Sequence, residues 1–329
     1  MRISAIALFC LTVIGLSATA KSEECPGNAN ALGTSRVLTI SRGEFTRIGS
    51  IQYKETLPLA DHEIVLTFDD GPIPPYSNAI LDVLDSQCVK ATYFMVGEMA
   101  QAYPALVRRI YNAGHTIGTH SQHHPFGFEH LPMHRVEREV DDGIASVDAA
   151  LGDPKAVSPF FRIPGLGRTS EIESFLAAHS LVTWSADIDT DDWWRGSTPD
   201  QLVKRAMRRL NAKGRGIILM HDIHPATALA LPRLLKELKN GGYHVVQVVP
   251  AGDRPVSVPD LVASAEPRKG VWPRIVESHP DWTGGIGPRL HYRIKKVRTK
   301  GYHHHRPATV AEAQAPLVTG SRNWQMNQF

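Results

Sequence analysis

Three things are scarce in this sequence. There are only three cysteines in 329 residues, and none is placed to be a metal ligand or a nucleophile. The net charge is only +3, too small to imply a nucleic-acid partner. What basic excess exists gathers near the C-terminus, at Arg293, Lys295, Lys296, Arg298 and Lys300. Long apolar runs are also missing. After the first residues no stretch approaches the roughly 20 apolar residues that a membrane span needs. What remains is a chain that is 42% hydrophobic and 21% charged, enough for a full-sized core in one large domain or two modest ones.

The first residues form an address. Met1-Arg2 is a positive start, Ile3 to Leu16 is a short apolar stretch, and Ala18-Thr19-Ala20 is a small-x-small cleavage site. This predicts a signal peptide over residues 1–20, and therefore an exported protein, periplasmic or secreted, with no membrane segment after cleavage. Cys10 leaves with it. Cys25 and Cys88 remain, an even pair in a compartment that permits disulfides. A bridge would pin residues 21–60 onto the domain. Two free thiols are the alternative.

The chain is organised around Ile64-Val65-Leu66-Thr67-Phe68-Asp69-Asp70-Gly71. An apolar, β-branched run of this length reads as a buried strand. It stops at two adjacent carboxylates, which raise each other's pKa unless a cation sits beside them. A divalent metal is the simplest such cation. A solvated Asp-Asp-Gly turn is the bland alternative.

Before this strand, residues 21–60 predict an N-terminal arm with one or two short edge strands near Arg36–Ile40. After it, apolar strands near residues 91–96, 115–119, 159–162, 181–186, 216–220 and 244–249 alternate with helical segments near residues 78–87, 103–113, 132–151, 171–178, 199–210 and 226–239. Seven strands alternating with helices predict an α/β fold with a parallel sheet. Asp69-Asp70, His120, Arg162, Asp187 and His221 each stand at the C-terminal end of a different strand. In a barrel those ends form one mouth. The expected fold is therefore an irregular seven-stranded (β/α) barrel, with the catalytic domain over residues 61–250. Residues 251–329 are rich in proline and basic residues and lack periodicity. They are expected to be a tail, largely disordered, in which His303-His304-His305 reads as a solvated tract.

The second informative stretch is His120-Ser121-Gln122-His123-His124. If it leaves its strand as a helical turn, His120 and His124 share a face and can hold one cation. His123 competes at a spacing of three. One carboxylate and two imidazoles leave positions open for water and substrate, as catalytic metal sites do.

These residues resemble the polysaccharide deacetylase family, whose members act on chitin, chitooligosaccharides, peptidoglycan or acetylated xylan. Thr67-Phe68-Asp69-Asp70-Gly71 and His120-Ser121-x-x-His124 look like its first two motifs. Arg162-x-Pro164, Asp189-x-x-Asp192-Trp193 and Leu219-x-His221 look like the next three, in the same order. The resemblance implies that Asp70, His120 and His124 bind a divalent metal, usually Zn2+, with Co2+ or another ion as alternatives. It makes Asp69 the general base, His221 the acid that protonates the leaving amine, and Arg162 the residue that orients Asp69. An Asp of the fourth motif would support His221. Asp187 and Asp189 compete for that place, and motif spacing favours Asp189. The backbone N–H of Gly165 would face the oxyanion, where many relatives carry an aromatic residue. Trp193 and Leu219 would line an acetyl pocket, and Trp194 could stack on a sugar. His224 reads as structural.

The expected function is removal of N-acetyl groups from an N-acetylglucosamine polymer or oligomer, chitooligosaccharide or peptidoglycan, by a monomeric hydrolase. Two alternatives use the same sequence: an O-acetyl esterase acting on xylan or another glycan, and a carbohydrate-binding protein without catalysis.

Overall fold

Strand β3, Glu63–Asp69, is buried along both faces from Ile64 onward, and its apolar residues run without alternation. That is the pattern of a parallel strand covered on both sides. The computed structural model that carries it describes residues 25–41 and 43–252. The expected signal peptide with Cys10, and the tail from residue 253 with its basic cluster and His303–His305, lie outside the described residues.

Among the described residues, ten strands form one sheet in which every pairing is parallel. Next to β3 lie β4, Thr92–Met95, and β9, Gly216–His221. From β4 the ladder continues through β5, Thr116–Thr119, and β6, Phe160–Arg162, to β7, Val182–Trp184. The chain then runs on through Ser185–Asp187 into β8, Ile188–Asp189, which pairs with β9. Ladders, together with this one chain link between β7 and β8, therefore connect the seven strands β3 to β9 in a barrel-like ring.

The seventh strand differs from expectation. The run at residues 244–249 forms β10, His244–Pro250, which pairs with β3 only at His244↔Glu63 and Val245↔Ile64. The ring is completed instead by the two residues of β8. A two-residue strand has too little sequence to show a period. The other edge of β10 holds β1, Thr34–Ile40, and the short β2, Arg47–Ile48, pairs with β7.

The helices follow their local signals. They are α1 Tyr76–Ser86, α2 Gly97–Ala102, α3 Pro104–Asn112, α4 Met133–Leu151, α5 Ser170–Ala178, α6 Pro199–Lys213 and α7 Pro225–Asn240. Thr198 caps α6 in a reciprocal pair with Gln201, with Pro199 in the first turn. Gly152 stops α4 in the left-handed conformation, where a Cβ would be strained.

Val65, Phe94, Phe160, Val182, Trp184, Ala186, Ile217 and Leu219 of the ring pack in one cluster with Ile40, Ile48, Val246 and Val248. Strand period places Val65, Thr67 and Asp69 on one face of β3. The face is therefore apolar at the bottom and polar at the mouth. A Cys25–Cys88 disulfide joins the start of the described chain to the residue two beyond the end of α1.

Candidate active site

The C-terminal ends of the strands deliver the polar residues to one place. β3 and β9 pair with Asp69 opposite His221, so those two stand side by side at adjacent strand ends. His120 follows β5, and its backbone N–H donates to the carbonyl of Met95. Arg162 closes β6.

Asp70, His120 and His124 form a cluster whose donor atoms all lie within 4.8 Å of one another. Nε2 of each imidazole is 3.4 Å from Asp70 Oδ1. That oxygen is buried and has no hydrogen-bond partner. Burial alone would push the Asp70 carboxyl up. The imidazoles of His124, His120 and His221 outweigh it and hold the group well below the usual carboxylate range. Burial pulls His124 below its ordinary value, so its ring is neutral near pH 7. His120 Nδ1 lies 2.6 Å from the carbonyl oxygen of Arg162. A carbonyl only accepts, so Nδ1 carries a proton and Nε2 is the nitrogen that faces the cluster.

The histidines do not converge through a helical turn. Ser121 and His124 both have positive φ, 65° and 50°, and the Ser121 hydroxyl accepts from the His124 N–H at 3.0 Å. Asp70 is likewise left-handed at φ 76°. Non-glycine residues in this region are strained, and strain of this kind concentrates at functional sites. His123 is turned elsewhere: its ring and its backbone N–H both meet Glu139.

Asp69 faces a different partner. Its Oδ1 accepts from Arg162 Nη1 at 2.6 Å, in an ion pair that is almost wholly buried. The same Nη1 donates to Thr67 Oγ1, and Nη2 donates to the carbonyl of Ser185. The guanidinium lies 4.2 Å from the centre of the Phe94 ring. These contacts fix Asp69 and leave Oδ2 directed toward the cluster, 3.8 Å from His120 Nε2.

On the other flank, His221 pairs with Asp192. The expected partners, Asp189 and Asp187, are engaged elsewhere. Asp189 Oδ1 accepts from the Asp191 backbone N–H. Asp187 accepts from Ser50, Thr56 and the Ile217 N–H, tying residues 50–56 to the ring. Asp192 Oδ1 accepts from His221 Nδ1 at 2.8 Å, while its Oδ2 accepts from the His221 backbone N–H and the Thr227 hydroxyl. The reason is the turn after β8. Asp191 adopts φ 50°, with its carboxylate on Arg209 and its carbonyl on Arg205, and the next side chain swings back over the end of β9. The quoted motif contains Asp192, and the Asp-Trp step within it was the available signal.

Burial by itself would lower the His221 pKa. Asp192 reverses this, and with Asp70 and Asp69 pushes the ring up to about 10. Asp192 is correspondingly depressed against the pull of burial. His224, half-buried and lowered by desolvation, stacks edge-on against His221 at 5.8 Å.

Of the expected substrate-binding residues, Gly165 is exposed at φ 58°, with open space where a Cβ would be. Trp193 is half-buried and meets the 48% exposed Trp194 edge to face. Leu219 packs into the interior cluster, directly across from Thr67.

Comparison with known proteins identifies the family. Residues 57–184 match the family model described as polysaccharide deacetylase. A Bacillus cereus peptidoglycan-N-acetylglucosamine deacetylase is 32% identical over 197 residues, covering 58% of this chain and 89% of that protein. The Listeria monocytogenes peptidoglycan-N-acetylglucosamine deacetylase PgdA is 33% identical over 185 residues, which is 56% of this chain. The match spans only 38% of the length of that relative. Among solved structures, a Bdellovibrio bacteriovorus peptidoglycan deacetylase superposes with a TM-score of 0.59 at 31% identity, covering 66% of this chain and 59% of that one. The chain belongs to the polysaccharide deacetylase family.

Proposed function

We propose that this protein is a divalent-metal-dependent hydrolase that removes the acetyl group from N-acetylglucosamine units of a glycan, with peptidoglycan as the first candidate substrate and chitooligosaccharides as the second. The observation that carries the reading is Asp70 Oδ1. It is a buried oxygen without a hydrogen bond, held between two imidazole nitrogens. An acceptor so placed costs stability unless a cation satisfies it. One carboxylate and two imidazoles suit Zn2+ or Co2+ and leave room for water and substrate. When bound, the ion would polarise the acetyl carbonyl and acidify water.

The remaining work falls to this chain's own side chains. Asp69, fixed by Arg162, takes the proton of the attacking water at Oδ2. The backbone N–H of Gly165 donates to the developing oxyanion. His221 Nε2 delivers a proton to the departing amine, which leaves poorly without one, while Asp192 holds Nδ1–H and stabilises the cationic ring. Trp193 and Leu219 flank the acetyl methyl, and Trp194 offers a face to a sugar ring.

The peptidoglycan assignment is supported by the names of the relatives. Action outside the cytoplasm is supported by the disulfide and by the N-terminal sequence. No helix among the described residues is long and apolar enough to cross a membrane. The proposed domain extends over residues 61–250, with residues 21–60 as an arm secured to it.

The test is acetate release from peptidoglycan, defined chitooligosaccharides and acetylxylan, with metal content measured on the same sample. Release from the N-acetylated substrates, abolished by chelation and restored by Zn2+ or Co2+, is expected. Release from acetylxylan alone would make the protein an esterase. Glycan binding without release from any of the three would leave a binding protein.

A further inference from the structure

Asp222 directly follows the proposed acid His221, and the reaction outlined above gives it no part. It is fully buried. The β3–β9 ladder runs out here, where the Asp222 backbone N–H donates to the Asp69 carbonyl at 3.2 Å. The Asp222 side chain then carries the pairing beyond the backbone. Its Oδ1 accepts from the Gly71 N–H at 3.0 Å, taking the place of a strand carbonyl. Its Oδ2 meets the Ser77 hydroxyl at 2.5 Å, and Ser77 Oγ in turn accepts from the Ile73 N–H at 2.7 Å. One carboxyl group therefore fixes both ends of the segment from Gly71 to Ser77.

The segment matters because of what precedes it. Asp70 is left-handed, a conformation an aspartate keeps only when its neighbours over-determine it. On the Gly71 side, the restraints are the Asp222 carboxyl and the Val96 N–H donating to the Gly71 carbonyl. The fit is close. A Cβ on Gly71 would lie 2.2 Å from Asp222 Oδ1, so residue 71 must be glycine because of this approach, its φ not being positive.

We infer that Asp222 is a positioning residue: through Gly71 and Ser77 it holds the Asp69-Asp70 turn of β3 in the shape that presents Asp70 to the metal, and it ties that turn to the strand carrying His221. The inference rests on the metal-binding reading proposed above. It is separate from the roles of Asp70, His120 and His124, because Asp222 does not join their cluster. The effect is one of geometry, since both oxygens serve as acceptors from fixed partners. An amide at this position keeps the acceptor for Gly71 and can donate to Ser77 Oγ.

The experiment compares wild type, D222A, D222N and S77A on purified full-length protein. It measures Zn2+ affinity by chelator competition, the visible spectrum of the Co2+ form, and circular dichroism. Wild type should bind either ion; if it binds neither, the metal-binding reading fails and takes this inference with it. With wild type binding, D222A should lose about 10- to 100-fold in affinity and change its Co2+ spectrum, while D222N should return to within about 3-fold of wild type. Wild-type affinity and spectrum in folded D222A, or a D222N as impaired as D222A, would overturn the positioning role and leave the metal site standing. If D222A fails to fold, S77A decides. It removes one anchor and should weaken Zn2+ binding several-fold; unchanged affinity and an unchanged Co2+ spectrum would overturn the inference.

Discussion

Asp192 accepts two hydrogen bonds from one residue: His221 donates its backbone N–H to Oδ2 at 2.7 Å and its Nδ1–H to Oδ1 at 2.8 Å. The ring is thereby locked in rotamer and tautomer, with Nε2 left for the reaction. The His221 pKa is raised to about 10, so the proton is present through neutral pH and is lost only as pH climbs through that value. Its contribution to folding stability has the same sign, complete below the ordinary histidine range near 6.5 and lost toward pH 10. D192N should lower kcat by about 100-fold and move the alkaline limb of the kcat profile downward. D189N should leave that limb in place. Paired pH–rate profiles check this, and a limb that moves with Asp189 would restore the partner suggested by motif spacing.

Asp69 and Asp70 are neighbours in sequence with separate partners, and they should separate in mutation. D69N removes the proposed base and leaves the cluster of Asp70, His120 and His124 untouched. Metal content should stay near wild type while acetate release falls by about 100- to 10,000-fold. A D69N variant of normal turnover would remove Asp69 from the base role. Loss of the metal would move Asp69 into the ligand set.

The two adjacent histidines offer a sharper contrast. His124 Nε2 is 3.4 Å from Asp70 Oδ1, whereas His123 rests on Glu139. H124A should weaken Zn2+ binding by more than about 100-fold, beyond the range for losing an outer partner. H123A, which breaks a pair with an exposed imidazole, should leave affinity within about 3-fold. Chelator competition reads both. The reverse order would assign the ligand to the three-residue spacing.

The disulfide closes a sequence separation of 63 residues. Chain-entropy reasoning puts its contribution at up to about 4 kcal/mol. For a domain of this size that is roughly 10 °C in Tm. The double variant C25S/C88S should melt lower by up to that amount while keeping its metal affinity, because β1 stays paired with β10 and the cluster lies on other strands. Calorimetry with and without reductant measures it.

Much of the site is local in origin and was legible for that reason. A strand buried on both faces has a run of apolar residues, and its end is marked by the first residues that cannot be buried alone; Ile64–Phe68 followed by Asp69-Asp70-Gly71 carries both signals. Arg162 and His221 stand at strand ends in the same way. The loops carry no such period. The path of residues 121–124 depends on left-handed Ser121 and His124, and Ser121 has Gly143 of α4 packed against its carbonyl, where a Cβ would lie 2.6 Å from the Ser121 carbonyl carbon.

The sequence alone determined which residue types meet at the mouth, because chain direction and strand period fix what each β-strand delivers to its end. It took the folded chain to show that β8 and not β10 lies against β9 as the seventh strand, and that Asp192 and not Asp189 holds His221. Both outcomes depend on contacts between segments distant in the chain: β8 against β9, Asp191 against Arg205 and Arg209, and Asp192 against Thr227. Such contacts leave no periodic trace in the segments that make them, so only the folded chain could reveal them.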